Sequence, residues 1–314
     1  MAVISVPDTL RTRALEAVHP YEIKKLLRLS SSDRADSVYS WSLLKLVEVA
    51  LSSENCVPAV QATLTRRTKE LLSQVAPYIN ALLEGMRKHG AVLSGSRCLA
   101  FFDHDCGFNP DNWDWYVAEY GYKLFLSLLI QKLGYELVGT SSGPQAYSSS
   151  IEPPASLAEK ITSCVVHHSL RRTHDMGLVH RTCLHGELGQ ELDVICSRVS
   201  SPLLPISLFH STIVQNFVSY DGFCMACPEL FFSNTGIKAS RRLTAGDIQL
   251  LEKYRNRGYN IVDNIPTHLQ PLCLKDGYCS QAVWRFGNQF SLVMLLKFQG
   301  LSGRLPDFAK YPFM

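Results

Sequence analysis

The chain has 314 residues, 46% of them hydrophobic and 19% charged, enough apolar material for a sizeable core in two or three packed subdomains. Thirty-one Lys plus Arg against 28 Asp plus Glu leave a formal charge of +3, too small by itself to imply a nucleic-acid or membrane partner, so any basic surface must be local. The opening MAVISVPDTLRTRALEAV lacks a basic segment followed by a long apolar one, and no long apolar run occurs anywhere; the expectation is an intracellular protein, cytoplasmic or nuclear, without a membrane span.

From about residue 8 to residue 89 the apolar residues recur at three and four, as in Leu43, Leu44, Leu46, Val47 and Ala50. This predicts a helical N-terminal region over 1–90, with Ser and Asp clusters separating the helices. Lys88 and His89 followed by Gly90 read as a basic last turn and a stop. The rhythm then changes to AVL, a glycine turn, a short helix beginning near Gly95 and an acidic loop, DHDCGFNPD. The alternating strand NWDWYV follows over 112–117. EYGYKLFLSLLIQKL predicts an apolar helix closed by Gly134, and 141–156, rich in Ser, Pro and Gly, reads as a loop or linker.

MGLVHRTCL and ELDVICSRV flank HGELGQ and predict a β-hairpin. Beyond residue 200 the pattern returns to mainly helical text, in PISLFHSTIVQNFVSY, TAGDIQLLEKYRNRGYNIV and SQAVWRFGNQFSLVMLL. No repeat of fixed period appears. The expected fold class is α+β: a small mixed sheet over 91–200 between helical regions over 1–90 and 201–314.

Ten cysteines without a secretory signal are better read as reduced thiols than as disulfides. The closest pair, Cys224 and Cys227 in CMAC, is a weak zinc signal, because a structural site wants four ligands; Cys273, Cys279 and His210 are the remaining candidates, and buried apolar thiols are the preferred reading.

Three elements can carry chemistry. Gly95 and Ser96 open a helix, where backbone N–H groups and the helix dipole favour an anion, although Gly-Ser is also an ordinary cap. In the strand, Trp113, Trp115 and Val117 share one face, which suits the core. Asn112, Asp114 and Tyr116 share the other, with Asn112 and Asp114 about 7 Å apart at the backbone. In the hairpin, Asp193 stands between apolar neighbours and is costly to bury unless paired or bound to a metal, unless the strand is an edge whose polar side meets water. Cations for a phosphate are offered by Arg171 and Arg172, by Lys238, Arg241 and Arg242, and by Lys253, Arg255 and Arg257. Lys238, Arg241 and Arg242 are preferred because they precede a helix cap at Thr244. His210 and Ser211 follow the Asp193 strand and are read first as core residues.

A glycine-serine turn, a strand of alternating hydrophobic and acidic character, and a third acid on a later strand resemble the nucleotidyltransferase (polymerase β-like) superfamily. Over roughly residues 90–295 the run from SGSRCLAFF through LDVICSRVSSPLLPISLFH to VWRFGNQFSLVML is similar to nucleotidyltransferase-like proteins of mushroom-forming fungi. The resemblance implies that Gly95 and Ser96 hold the phosphates of a nucleoside triphosphate. It also implies that Asp114 and Asp193 are ligands of Mg²⁺, and that the acceptor is a hydroxyl of RNA, protein or a small molecule. The family's first acid falls on Asn112, which offers an oxygen but no charge. Asp111 on a bulge, or Asp103 and Asp105 in the preceding loop, could compensate. The expectation is a protein that binds a nucleotide or phosphate with weak or lost catalysis; an active Mg²⁺-dependent nucleotidyltransferase is the first alternative and a non-catalytic protein-interaction scaffold the second.

Overall fold

The computed structural model describes residues 4–5, 10–12, 16, 20–103, 105–110, 112–142, 178–239, 243–264 and 291–296. Its N-terminal helices are α1 (Pro20–Leu27), α2 (Ser31–Ser37), α3 (Leu43–Ser52), α4 (Val57–Ser73) and α5 (Ile79–His89). Helix α2 occupies a Ser and Asp cluster expected to be a connection. Ser30 accepts the Asp33 N–H and so supplies the cap that lets this polar stretch start a helix. Arg67, buried on α4, donates to the carbonyls of Tyr39 and Trp41 and ties the link between α2 and α3 to the longest helix. Thr63 of α4 donates to Ala35 of α2 at 2.9 Å.

The strands are β1 (Ile4–Ser5), β2 (Ala91–Ser94), β3 (Asn112–Val117), β4 (Glu136–Ser142), β5 (Leu178–His185), β6 (Glu191–Ser197), β7 (Asn216–Val218), β8 (Gly222–Met225), β9 (Thr235–Ile237), β10 (Asn260–Val262) and β11 (Leu292–Leu295). Nine of them form one mixed sheet in the order β1-β11-β8-β7-β2-β3-β6-β5-β4, and β9 pairs with β10 in a small parallel sheet. Within the large sheet β3 and β6 run parallel, and the other neighbours are antiparallel. The fold is therefore α+β, as expected, but the sheet is not small. Strands β7, β8 and β11 come from the region expected to be mainly helical, and β1 comes from the N-terminal region expected to be helical, ahead of the helical text that starts near residue 8.

The physical reason is that these strands are short and apolar. Buried on both faces, Phe217, Phe223 and Met225 carry no two-residue alternation that a sequence reading could detect. Strand β4 was likewise hidden at the entrance to a Ser-rich stretch, 141–156, of which 143–156 lies outside the described residues.

Helices α6 (Gly95–Phe102), α7 (Tyr122–Leu133), α8 (Leu203–Ser207), α9 (Pro228–Phe232) and α10 (Ala245–Asn256) complete the architecture. The stops read from sequence are real: α5 ends at Gly90 and α7 at Gly134, both left-handed. Thr244 caps α10 in a capping box with Asp247. Strand β3 is the centre of the core. Trp113 and Trp115 are buried on one face, where Trp115 meets Phe125 of α7 with ring centroids 5.6 Å apart. The other face is left for polar groups. Cys224 and Cys227 are both buried. Among the described residues no helix is long and apolar enough to cross a membrane.

Candidate functional site

The polar face is built in rows, because cross-strand partners point the same way. Ser94 of β2, Asp114 of β3, Asp193 of β6 and Cys183 of β5 form one row. Asn112, Glu191 and His185 form the row on one side of it, and Val92, Tyr116, Ile195 and Arg181 the row on the other. Asp114 and Asp193 are thus direct neighbours on parallel strands. The strand read as bearing the paired positions and the hairpin strand read as bearing the third acid deliver their carboxylates to one side of the sheet.

The turn between β2 and α6 closes on this row. Ser94 is buried, and its hydroxyl donates to the Asn216 carbonyl at 2.5 Å, pinning the end of β2 to β7. Gly95 follows with φ +71°, and a Cβ there would stand 2.0 Å from Asp114 Oδ2. Glycine is required on both counts: the backbone is left-handed, and the carboxylate of β3 occupies the space of a side chain. Ser96 is buried in the first turn of α6.

Asp193 is not free. Arg181 Nε and Nη2 donate to its two oxygens at 3.0 Å and 2.6 Å, and Cys183 Sγ donates to Oδ1 at 3.1 Å. The carboxylate side chain is 8% exposed and the arginine covering it 47%, so the guanidinium lies between the acid and solvent. Asp114 remains partly exposed, but protein surrounds it closely enough that burial, with the Asp193 charge adding, pushes its carboxyl up to about 7; Arg181 and Lys253 oppose that rise. The charge of Lys253 acts from α10, whose Tyr254 stacks on His210 at 5.4 Å. Tyr116 meets Phe209 at 5.6 Å, so α10 and the residues before β7 form the wall beyond the Tyr116 row.

The other sequence candidates fall as follows. Lys238 is paired with Asp263 beside the small sheet, and the cations acting on Asp114 are Arg181 and Lys253. Arg241 and Arg242 lie outside the described residues, as do Arg171, Arg172, Asp111, Cys273 and Cys279. Asp103 accepts the Tyr259 hydroxyl at 2.6 Å, and Asp105 is exposed. Arg255 pairs with Glu252, and Arg257 lies over the Phe108 ring at 4.0 Å. His210 is buried, in keeping with its reading as a core residue.

Sequence reasoning missed Arg181, although a signal existed. Counting back from the HGELGQ turn puts Cys183 opposite Asp193 and Arg181 one pair further along on the same face. Glu191 shares the Asp193 face by two-residue alternation, but its place directly opposite Asn112 depends on the parallel register of β3 and β6.

The donor set does not suit a two-ion centre. Asn112 is neutral, and both oxygens of Asp193 are engaged by Arg181. Among the described residues, no group of three or more His, Cys, Asp or Glu is arranged to hold a metal. No protein-family model matches the chain, and no curated protein matches it.

Proposed function

We propose that the protein binds a nucleotide or related phosphate ligand at the Gly95 turn, in a site of nucleotidyltransferase type whose catalysis is weak or lost. The observation that carries this reading is the Asp114 carboxylate lying against the left-handed turn at Gly95, in register with Asp193 and under the influence of the charges of Arg181 and Lys253. A helix start presents unpaired N–H groups and a positive dipole end to an anion. The two cations supply charge that a phosphate needs where carboxylates alone would repel it. The loss of activity rests on Asn112 and on the engagement of Asp193. Mg²⁺ enters this proposal as a companion of the phosphates rather than as a resident of a two-ion centre.

Calorimetry with each nucleoside triphosphate, in Mg²⁺ and in chelator, tests the reading. Saturable binding without release of pyrophosphate supports it, and no binding to any of them removes it. The pH dependence gives a sharper check. The Asp114 pKa is raised in the folded state, so the stability it contributes is complete at low pH and is lost as pH rises through about 7. The same ionisation places a negative charge beside a bound phosphate. Affinity for ATP should therefore fall several-fold between about pH 6 and about pH 8, and Asp114→Asn should bind with an affinity nearly flat across that range. An Asp114→Asn variant that loses binding outright would show that the carboxylate holds the ligand instead of tolerating it.

One observation favours the active alternative, with RNA, protein or a small molecule as acceptor. Glu191 stands opposite Asn112, about 5 Å away at the backbone, and offers an exposed carboxylate in the row where the amide has none. Asn112→Asp discriminates. Without divalent cation it sets two like charges face to face and should cost about 0.5–1 kcal/mol of stability. If the alternative is right, Mg²⁺ reverses that loss and pyrophosphate release appears; if the alternative is wrong, urea midpoints with and without Mg²⁺ coincide.

A further inference from the structure

Arg181 is bound to Asp193 along one side of its guanidinium, through Nε and Nη2. A guanidinium carries five N–H donors, so two are used here and three remain, on Nη1 and the outer position of Nη2, with no partner among the described residues. Those remaining donors form the second fork of the group, the one that matches two oxygens of a phosphate. The acid beneath is nearly buried while the arginine is 47% exposed, so the open fork faces away from Asp193. A single planar cation thus has one edge on a carboxylate and the other available to an anion. That is the bridging geometry a divalent cation provides between a carboxylate and a phosphate, achieved here with a charge belonging to the chain.

We propose that Arg181 takes the place of a metal ion at Asp193, bridging that carboxylate to the phosphate of the ligand, so that the site binds phosphates without a divalent cation. The proposal rests on the phosphate-binding reading above and adds which group holds the phosphate and in what ionic conditions. It assigns Asp193 a role as the positioning residue for Arg181. Cys183, donating to the same carboxylate, helps fix that acid in place. Lys253 is the second cation whose charge acts on Asp114.

The test is calorimetry on the full chain with ATP and with inorganic pyrophosphate, each in chelator and in Mg²⁺, for the wild type, Arg181→Gln, Arg181→Lys and Asp193→Asn. The wild-type affinity for ATP should agree within about threefold between the two buffers, and Arg181→Gln should weaken it by about tenfold or more in chelator. Arg181→Lys, which keeps the charge but loses the fork, should fall between them. Asp193→Asn gives the outcome that separates the two models, because its amide oxygen still accepts a hydrogen bond from Arg181. With one acceptor oxygen left the amide holds Arg181 less firmly, so binding should weaken to the same extent in chelator and in Mg²⁺ and by less than in Arg181→Lys, whereas a metal-binding Asp193 would make this variant the most damaging of the set, and in Mg²⁺ alone. Pyrophosphate binding that Arg181→Gln weakens as much as it weakens ATP binding supports the phosphate contact, and pyrophosphate binding that Arg181→Gln leaves unchanged overturns it.

Wild-type binding that survives in Mg²⁺ and collapses in chelator overturns the arginine bridge and leaves the phosphate site standing. Absence of binding in both buffers overturns both. Should Arg181→Gln fold poorly by circular dichroism, Arg181→Lys and Asp193→Asn decide between the two models: an Asp193→Asn loss larger than that of Arg181→Lys refutes the bridge.

Discussion

Gly95→Ala should both destabilise the protein and close the site. At φ +71° an alanine pays the left-handed penalty of about 1–2 kcal/mol. Its Cβ would also stand 2.0 Å from Asp114 Oδ2 and 2.9 Å from Asp114 Cγ. The carboxylate cannot simply step aside. Asp193 lies next to it on β6, Ser94 on β2, and the backbone of β3 is fixed by pairing on both edges. Either the turn widens, which misdirects the first N–H groups of α6, or Asp114 is driven towards a second carboxylate. A total loss of about 2–4 kcal/mol is expected, read as a lowered urea midpoint with an unchanged slope. ATP affinity should fall by more than about tenfold in the fraction that remains folded. A Gly95→Ala protein that binds ATP as wild type does would detach the turn from the ligand and remove the central support for the phosphate site.

Trp115→Ala should produce the largest loss of stability with the least effect on binding. The indole is fully buried on the core face of β3 and packs against Phe125, and its Nε1 has no hydrogen-bond partner among the described residues. Little polar interaction therefore offsets the lost burial and the cavity, and a cost of about 3–5 kcal/mol follows. Trp115→Phe should cost clearly less, because most of the ring volume remains and the unpartnered N–H disappears. Residue 115 follows Asp114 directly but points to the opposite side of the sheet, so ligand affinity measured well below the melting temperature should match wild type. A large affinity change in Trp115→Phe, with stability nearly retained, would show that the two faces of β3 do not act independently.

The contrast between these neighbouring positions shows which parts of the site were legible beforehand. The two-residue alternation in NWDWYV assigns Trp113 and Trp115 to the core and Asp114 to the polar side, and the structure agrees. The hairpin around HGELGQ and the stops at Gly90 and Gly134 were also readable, because each depends on residues within a few positions of one another. Strands β7, β8 and β11 were not. Three or four residues are too few to display a period, so such a stretch fits a short helix as well as a strand, and only its neighbours decide. The polar helix α2 was hidden for the opposite reason, since a local cap, and no apolar period, starts it.

By itself, then, the sequence determined the local shapes: an acid facing away from a tryptophan, a glycine where a strand must turn into a helix, and a hairpin carrying a second acid. Only the tertiary structure decided what these shapes mean together, because strands far apart in the chain acquire a register solely by packing into one sheet. That register sets Asp193 beside Asp114 and Glu191 opposite Asn112. Arg181, two residues along from the Asp193 partner Cys183, reaches the buried acid through the local register of the hairpin. A charge buried at that depth must find a partner, and the neighbouring hairpin strand supplies it, while the company of Asp114 comes only from the sheet.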